Sequence, residues 1–219
     1  MAESEELFDQ LVREISGEYK RLGHTLGWRF LTSSKRTLSP RTRSVFLTLN
    51  PGGDADRPDH PSGSCENGSA YLVESWDGQT PGKSKLQIQV QGLFEVFDLD
   101  FASTLSGQLV PFRSPAWSSL PRKAESLEFG KAIWARVLAF LRPSLVIAMG
   151  KSELRAPLLE SLGPCLEQRD LRVNWGDVAA GVDRFETCTL VTLPHLSRFS
   201  LLSRAASRHA LEELAATLT

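Results

Sequence analysis

The chain has little cysteine, no long apolar run and no excess of either charge. Its 219 residues hold 3 cysteines, Cys65, Cys165 and Cys188, with no close pair among them. That spacing fits neither a C-x-x-C zinc site nor a disulfide framework. An odd number of thiols also suits a reducing compartment. With 25 Lys and Arg against 26 Asp and Glu, the formal net charge is −1. A histone-like binder that grips nucleic acid by bulk charge is excluded, while a local basic face is not. No apolar stretch approaches the ~20 residues of a membrane span. The acidic start, Met1-Ala2-Glu3-Ser4-Glu5-Glu6, is the reverse of a basic signal-peptide region. A cytoplasmic monomer with no membrane partner is expected. The dinucleotide fingerprint G-x-G-x-x-G is missing as well. Gly150-Lys151-Ser152 has the end of a P-loop, but Leu145 stands where its first glycine belongs.

What is present reads as one domain, residues 1–219, with a well-filled core: 41% of the residues are hydrophobic, among them 11 Phe and 5 Trp. Leu7, Leu11, Ile15, Tyr19 and Leu22 recur at near-helical spacing and predict an N-terminal helix over about 5–25. Ser44 to Leu49, Ser144 to Met149 and Thr189 to Leu193 are short apolar runs with β-branched residues, and about Ser103 to Val110 is a run with a polar start; together they predict four strands. Helical patterns occupy about Lys85–Phe97, Ala124–Leu141, the stretch through Leu162 and Ser200–Leu218. Residues 54–85, dense in Gly, Pro, Ser, Asp and Asn, form an irregular insertion of a length that is usually functional or mobile, and closure over the pocket or the DNA is expected of it. Strands alternating with helices predict an α/β fold, a three-layer α/β/α sandwich around a mainly parallel four-stranded sheet.

In such sheets ligands bind outside the carboxyl ends of the strands. Three of those ends carry unusual polar signatures. The first strand stops at Asn50-Pro51-Gly52-Gly53, the second runs from Gln108 into Pro111-Phe112-Arg113-Ser114, and the last breaks at Pro194-His195. Glycines permit close backbone approach, a carboxamide can orient a water or read a base edge, and a histidine can stabilise developing negative charge. Taken singly, each has an ordinary structural explanation, a turn or a surface imidazole. Convergence on one rim makes them candidates together. Arg113, Lys123, Arg198, Arg204 and Arg208 are expected near that rim and offer phosphate contacts.

These residues resemble the uracil-DNA glycosylase superfamily, over about Ser44 to Ser207. Leu49-Asn50-Pro51-Gly52 is similar to the first motif of its mismatch-specific and single-strand-selective branches, G-[IM]-N-P-G. Leu193-Pro194-His195-Leu196-Ser197 resembles the second motif, H-P-S-P. Val110-Pro111-Phe112 sits where the single-strand-selective branch has a strand ending N-x-C-P-L. Thr48, Leu49, Gln108 and Leu196 depart from the motif letters Gly, Ile or Met, Asn and Pro. With 3 scattered cysteines the four-cysteine iron–sulfur branches are excluded.

The resemblance implies a DNA glycosylase of base-excision repair that hydrolyses the N-glycosidic bond of a flipped uracil or other deaminated base, with no cofactor and no metal. Asn50 and His195 are then catalytic, positioning water and donating a hydrogen bond to the departing base. Leu49, Pro51, Gly52, Gly53, Gln108 and Phe112 would contact the base. Arg113, Ser114, Ser197, Arg198 and Phe199 would contact DNA, the partner, with Arg198 and Phe199 as the wedge. The alternative is a catalytically silent member of the same fold that binds nucleic acid or a nucleotide.

Overall fold

A computed structural model describes residues 2–218. The N-terminal helix α1, Ala2–Arg21, turns Phe8, Leu11 and Ile15 inward. It ends four residues short of the expected Thr25, because Gly23 takes a left-handed φ of +70°. The His24 N–H then bonds back to the Tyr19 carbonyl at 3.1 Å and Gly23 to Lys20 at 3.1 Å, a glycine-dependent helix stop. Next come β1, Ser44–Thr48, the four-residue α2, Ala70–Val73, and α3, Lys85–Val96. Ser84 and Gln87 close α3 with a reciprocal capping box. Then follow β2, Leu105–Gln108, α4, Lys123–Leu141, β3, Leu145–Met149, and α5, Lys151–Leu162. The chain closes with β4, Glu167–Trp175, β5, Val178–Arg184, β6, Thr189–Leu193, and α6, Ala205–Ala216.

The sheet has six strands in the order β2-β1-β3-β6-β5-β4, which corrects the four-stranded expectation. The four expected strands are all present and mutually parallel. The additional hairpin β4–β5 joins antiparallel to β6 and extends the sheet edge. Its first strand is polar and mostly exposed, so it carries no apolar run to betray it. The available signal was the turn pair Gly176-Asp177, with Gly176 at φ +56°. A buried carboxylate fastens the hairpin to α5. Asp183 has no exposed surface and accepts from Arg155 Nε at 2.8 Å and Nη2 at 2.6 Å.

Helices cover both sheet faces because the strands are apolar on both sides. In β1, Val45 and Leu47 point to a core shared with α1, α4 and α5, through Ile15, Trp134 and Leu158 among others. Phe46 points the opposite way, to a second core with Phe94 of α3 and Leu211 of α6. Chain order reverses around β1, with β2 on one side and β3 on the other. Such a reversal opens a crevice at the strand ends. The register aligns that crevice: Thr48 lies opposite Gln108 and Met149, and Met149 opposite Leu193. Every segment that follows this row therefore leaves the sheet at one level. Among the described residues no helix is long and apolar enough to cross a membrane.

Candidate functional site

One cleft of about 1240 Å³ runs along this row of strand ends. Leu49, Asn50, Pro51, Gly52 and Gly53 line it from β1, and Gln108, Arg113 and Ser114 from β2. His195, Ser197, Arg198 and Phe199 line it from beyond β6. Phe112 does not. Its ring is fully buried, 4.4 Å from His24 and 5.8 Å from Phe129 between centroids, and it meets the site only through its carbonyl. A large apolar ring in the segment leaving β2 is drawn into the core beneath the strand ends.

Asn50 is held by the segment after β2. Its Nδ2 donates to Ser114 Oγ at 2.9 Å and to the carbonyls of Phe112 and Pro51 at 3.2 Å each. With the nitrogen turned to these three acceptors, Oδ1 is left as an acceptor on a half-buried side chain in the cleft. The polarity of His195 is set just as locally. Its Nδ1 accepts from the Ser197 backbone N–H at 3.3 Å and lies 2.8 Å from Ser197 Oγ. A backbone N–H can only donate, so Nδ1 is the unprotonated nitrogen and Nε2 carries the hydrogen. Burial, opposed by the Glu153 charge, holds the imidazole below its ordinary 6.5 and keeps it neutral at pH 7.

Arg113 is 9% exposed and has no carboxylate bound to it among the described residues. Its Nη1 donates to the Gly52 carbonyl, and its Nε is buried with no partner among the described residues. Burial, then the charge of Arg29, hold its pKa below the usual guanidinium range. Buried charges are normally paired, so this one calls for an anion at the cleft. Gly53, at φ +112°, lets the backbone pass Arg113, and a Cβ there would sit 3.4 Å from Nη1.

The insertion forms a wall of the cleft through Arg57, His60, Tyr71 and Trp76, residues the sequence reading left out. A buried ion pair fixes it. Arg29, in the segment flanking β2, makes two bonds to Glu74, at 2.8 and 2.6 Å, with side-chain exposures of 5% and 8%. Burial works against the Glu74 charge, but Arg29 overrides it and holds the carboxyl below its usual range. Glu74 also accepts from Trp76 Nε1 at 2.9 Å, so the indole is fixed at the cleft edge-on to Tyr71. Thr48, too, lines the cleft, bonded to Gln108. The α5 start (Lys151, Ser152) and the hairpin (Gln168, Val178, Ala179) close the far side.

The basic residues of the rim are not the expected set: Arg29, Arg57, Lys151 and Arg155 line the cleft as well. Arg113 and Arg198 line the cleft, but Lys123 packs over Trp117 and Arg204 over Trp175, at 5.4 and 5.2 Å. Arg208 is paired with Glu95 and Glu212. Phe199 rests edge-on against Trp175, 6.1 Å away, while Arg198 is exposed above its ring. Among the described residues no group of three or more His, Cys, Asp or Glu is arranged to hold a metal ion.

A scan against protein-family models finds no family that matches the chain, and a search of curated proteins finds no significant relative.

Proposed function

We propose that the chain is a DNA glycosylase of the uracil-DNA glycosylase kind, which hydrolyses the bond between sugar and base after the nucleotide is flipped into the cleft. One observation carries this reading: neighbours turn Asn50 outward as an acceptor and His195 outward as a donor, on the rim of one cleft. That is the polarity the reaction needs. As the C1′–N bond breaks, its electron pair goes to the base and the sugar becomes cation-like. His195 Nε2–H donates to the base oxygen on which negative charge grows, at no cost in reorganisation. Asn50 Oδ1 accepts from a water whose oxygen bonds C1′, and the released proton neutralises the base anion. Arg113 supports the DNA part of the reading, as a buried cation that makes no ion pair among the described residues, with the charges of Asp56 and Glu74 acting on it only from a distance. Arg198 and Phe199 remain the candidates to fill the gap left by the flipped base.

The test is cleavage at abasic sites in oligonucleotides carrying uracil, hypoxanthine or xanthine, single- and double-stranded, with His195→Ala in parallel. Release of any of these bases that the variant loses is the expected result. Tight DNA binding with no release from any substrate overturns the enzyme reading in favour of a silent DNA-binding module.

A further inference from the structure

The hairpin β4–β5 does more than widen the sheet. Gly181 of β5 lies opposite Thr192 of β6 in an antiparallel register, so the hairpin turn rises at the carboxyl-end rim, where Val178 and Ala179 line the cleft with His195. Its tip is both bent and pinned. The β4–β5 register shifts between Arg172 and Trp175, and Asn174 within that bulge takes a left-handed φ of +54°. A bulge re-aims the side chains beside it, and asparagine is among the few residues that tolerate this backbone. Asn174 Nδ2 donates to the Ala206 carbonyl at 3.1 Å, which ties the tip to the start of α6. Trp175 is thereby presented to the segment between β6 and α6. Phe199 meets it edge-on at 6.1 Å and Arg204 lies over its ring at 5.2 Å, while Arg198 lies over the Phe199 ring at 5.6 Å.

Two guanidinium groups thus sit on two rings that touch each other. Both arginines are exposed and both rings half-buried, and neither guanidinium is bound to a carboxylate among the described residues. A guanidinium held over a ring is limited in its motion, and nucleobases stack on guanidinium planes as they do on aromatic rings. Its N–H groups stay available to phosphate oxygens. We propose that Arg204 on Trp175, one step outward from Arg198 and Phe199, is a stacking site for an unpaired base of the DNA strand beside the nucleotide held in the cleft. The inference rests on the base-excision reading for the ligand being DNA, and it adds a contact that neither sequence motif supplies. Arg198 and Phe199 are the candidates to fill the gap, and the outer pair holds a base next to it. In a duplex the faces of internal bases are covered by their neighbours, so the site takes single-stranded DNA. Arginine and aromatic side chains side by side are the general means of holding such strands without reading their sequence.

The experiment measures binding of a fluorescein-labelled oligothymidylate, single-stranded or annealed to oligoadenylate, by fluorescence anisotropy across a salt series. Trp175→Ala removes the ring, and Arg204→Lys keeps the charge but removes the plane. Each is expected to weaken single-strand binding about tenfold and to leave duplex binding within about twofold of the wild type. The salt slope should not change in Arg204→Lys, since no charge is lost. Trp175→Phe keeps a ring and should bind like the wild type. Thermal unfolding confirms that each variant folds, and Arg204→Lys, at an exposed position, carries the test if Trp175→Ala does not. Unchanged single-strand affinity in the folded variants overturns the stacking site and leaves the excision reading standing. Equal losses on single strand and duplex also overturn it, because they leave no role for an unpaired base. Single-strand binding that the variants lose, in a protein that releases no base from any substrate, supports the stacking site and overturns the excision reading. A wild type that neither binds the oligothymidylate nor releases any base overturns both.

Discussion

Asn50 and Ser114 lie 64 positions apart, and Asn50 Nδ2 donates to Ser114 Oγ at 2.9 Å. That bond joins the end of β1 to the segment leaving β2 and decides which atom of Asn50 faces the cleft. Removing the carboxamide removes the water site. Asn50→Ala is expected to lower base release by about 10²–10³-fold, the range for losing one preorganised transition-state contact. Ser114→Ala leaves two carbonyl acceptors for Nδ2 and should lower it by well under tenfold. Single-turnover kinetics on the best substrate check both.

His195 gives the reaction a pH dependence of known sign. Its native pKa is lowered from 6.5, with burial as the main cause. The neutral, Nε2-protonated form therefore predominates down to a pH below 6.5, and the midpoint of the acid limb of activity should lie below that point. Below it, the added proton lands on Nδ1, against the Ser197 N–H, and activity falls. A pH–rate profile whose acid limb lies above 6.5 contradicts this assignment.

His24 links pH to stability instead. It is buried beside Phe112, its Nε2 lies 3.1 Å from Ser126 Oγ, and burial lowers its pKa from 6.5. The unfolded chain binds this proton more readily than the native one. The stabilisation is therefore complete above pH 6.5 and lost as the pH falls below it toward the native pKa. Urea melts at pH 7.5 and pH 5 should show a loss of stability that is smaller in His24→Gln.

The Arg29–Glu74 pair anchors the insertion. Glu74→Ala leaves a buried guanidinium unpaired, releases Trp76 and is expected to cost about 3–5 kcal/mol. Chemical denaturation measures the cost, and limited proteolysis should now cut between residues 54 and 85. Glu74→Gln keeps part of the hydrogen bonding and should cost less.

Arg113 is expected to meet a phosphate. Arg113→Gln should weaken binding to every DNA sequence alike and reduce the slope of log K against log salt by about 0.7–0.9, the value for one lost phosphate contact. Fluorescence anisotropy across a salt series gives the slope, and an unchanged slope assigns Arg113 another role.

The sequence by itself determined the parallel part of the sheet and the rim. The strands β1, β3 and β6 are continuous apolar runs because helices bury both their faces, as Phe46 and its neighbours Val45 and Leu47 show. Each run stops at a residue type that cannot extend it, so Asn50-Pro51 and Pro194-His195 were legible as strand ends. Local pattern does not report polar partners that are distant in the chain, and here tertiary structure decided. It drew the Phe112 ring into the core, paired the exposed β4 with β5, and brought Tyr71, Trp76 and Arg29 to a site built from other segments. Nor can periodicity reveal which atom of Asn50 or His195 faces a ligand. Each of these side chains holds a donor and an acceptor, and only the neighbours packed against it fix which one is left to the cleft.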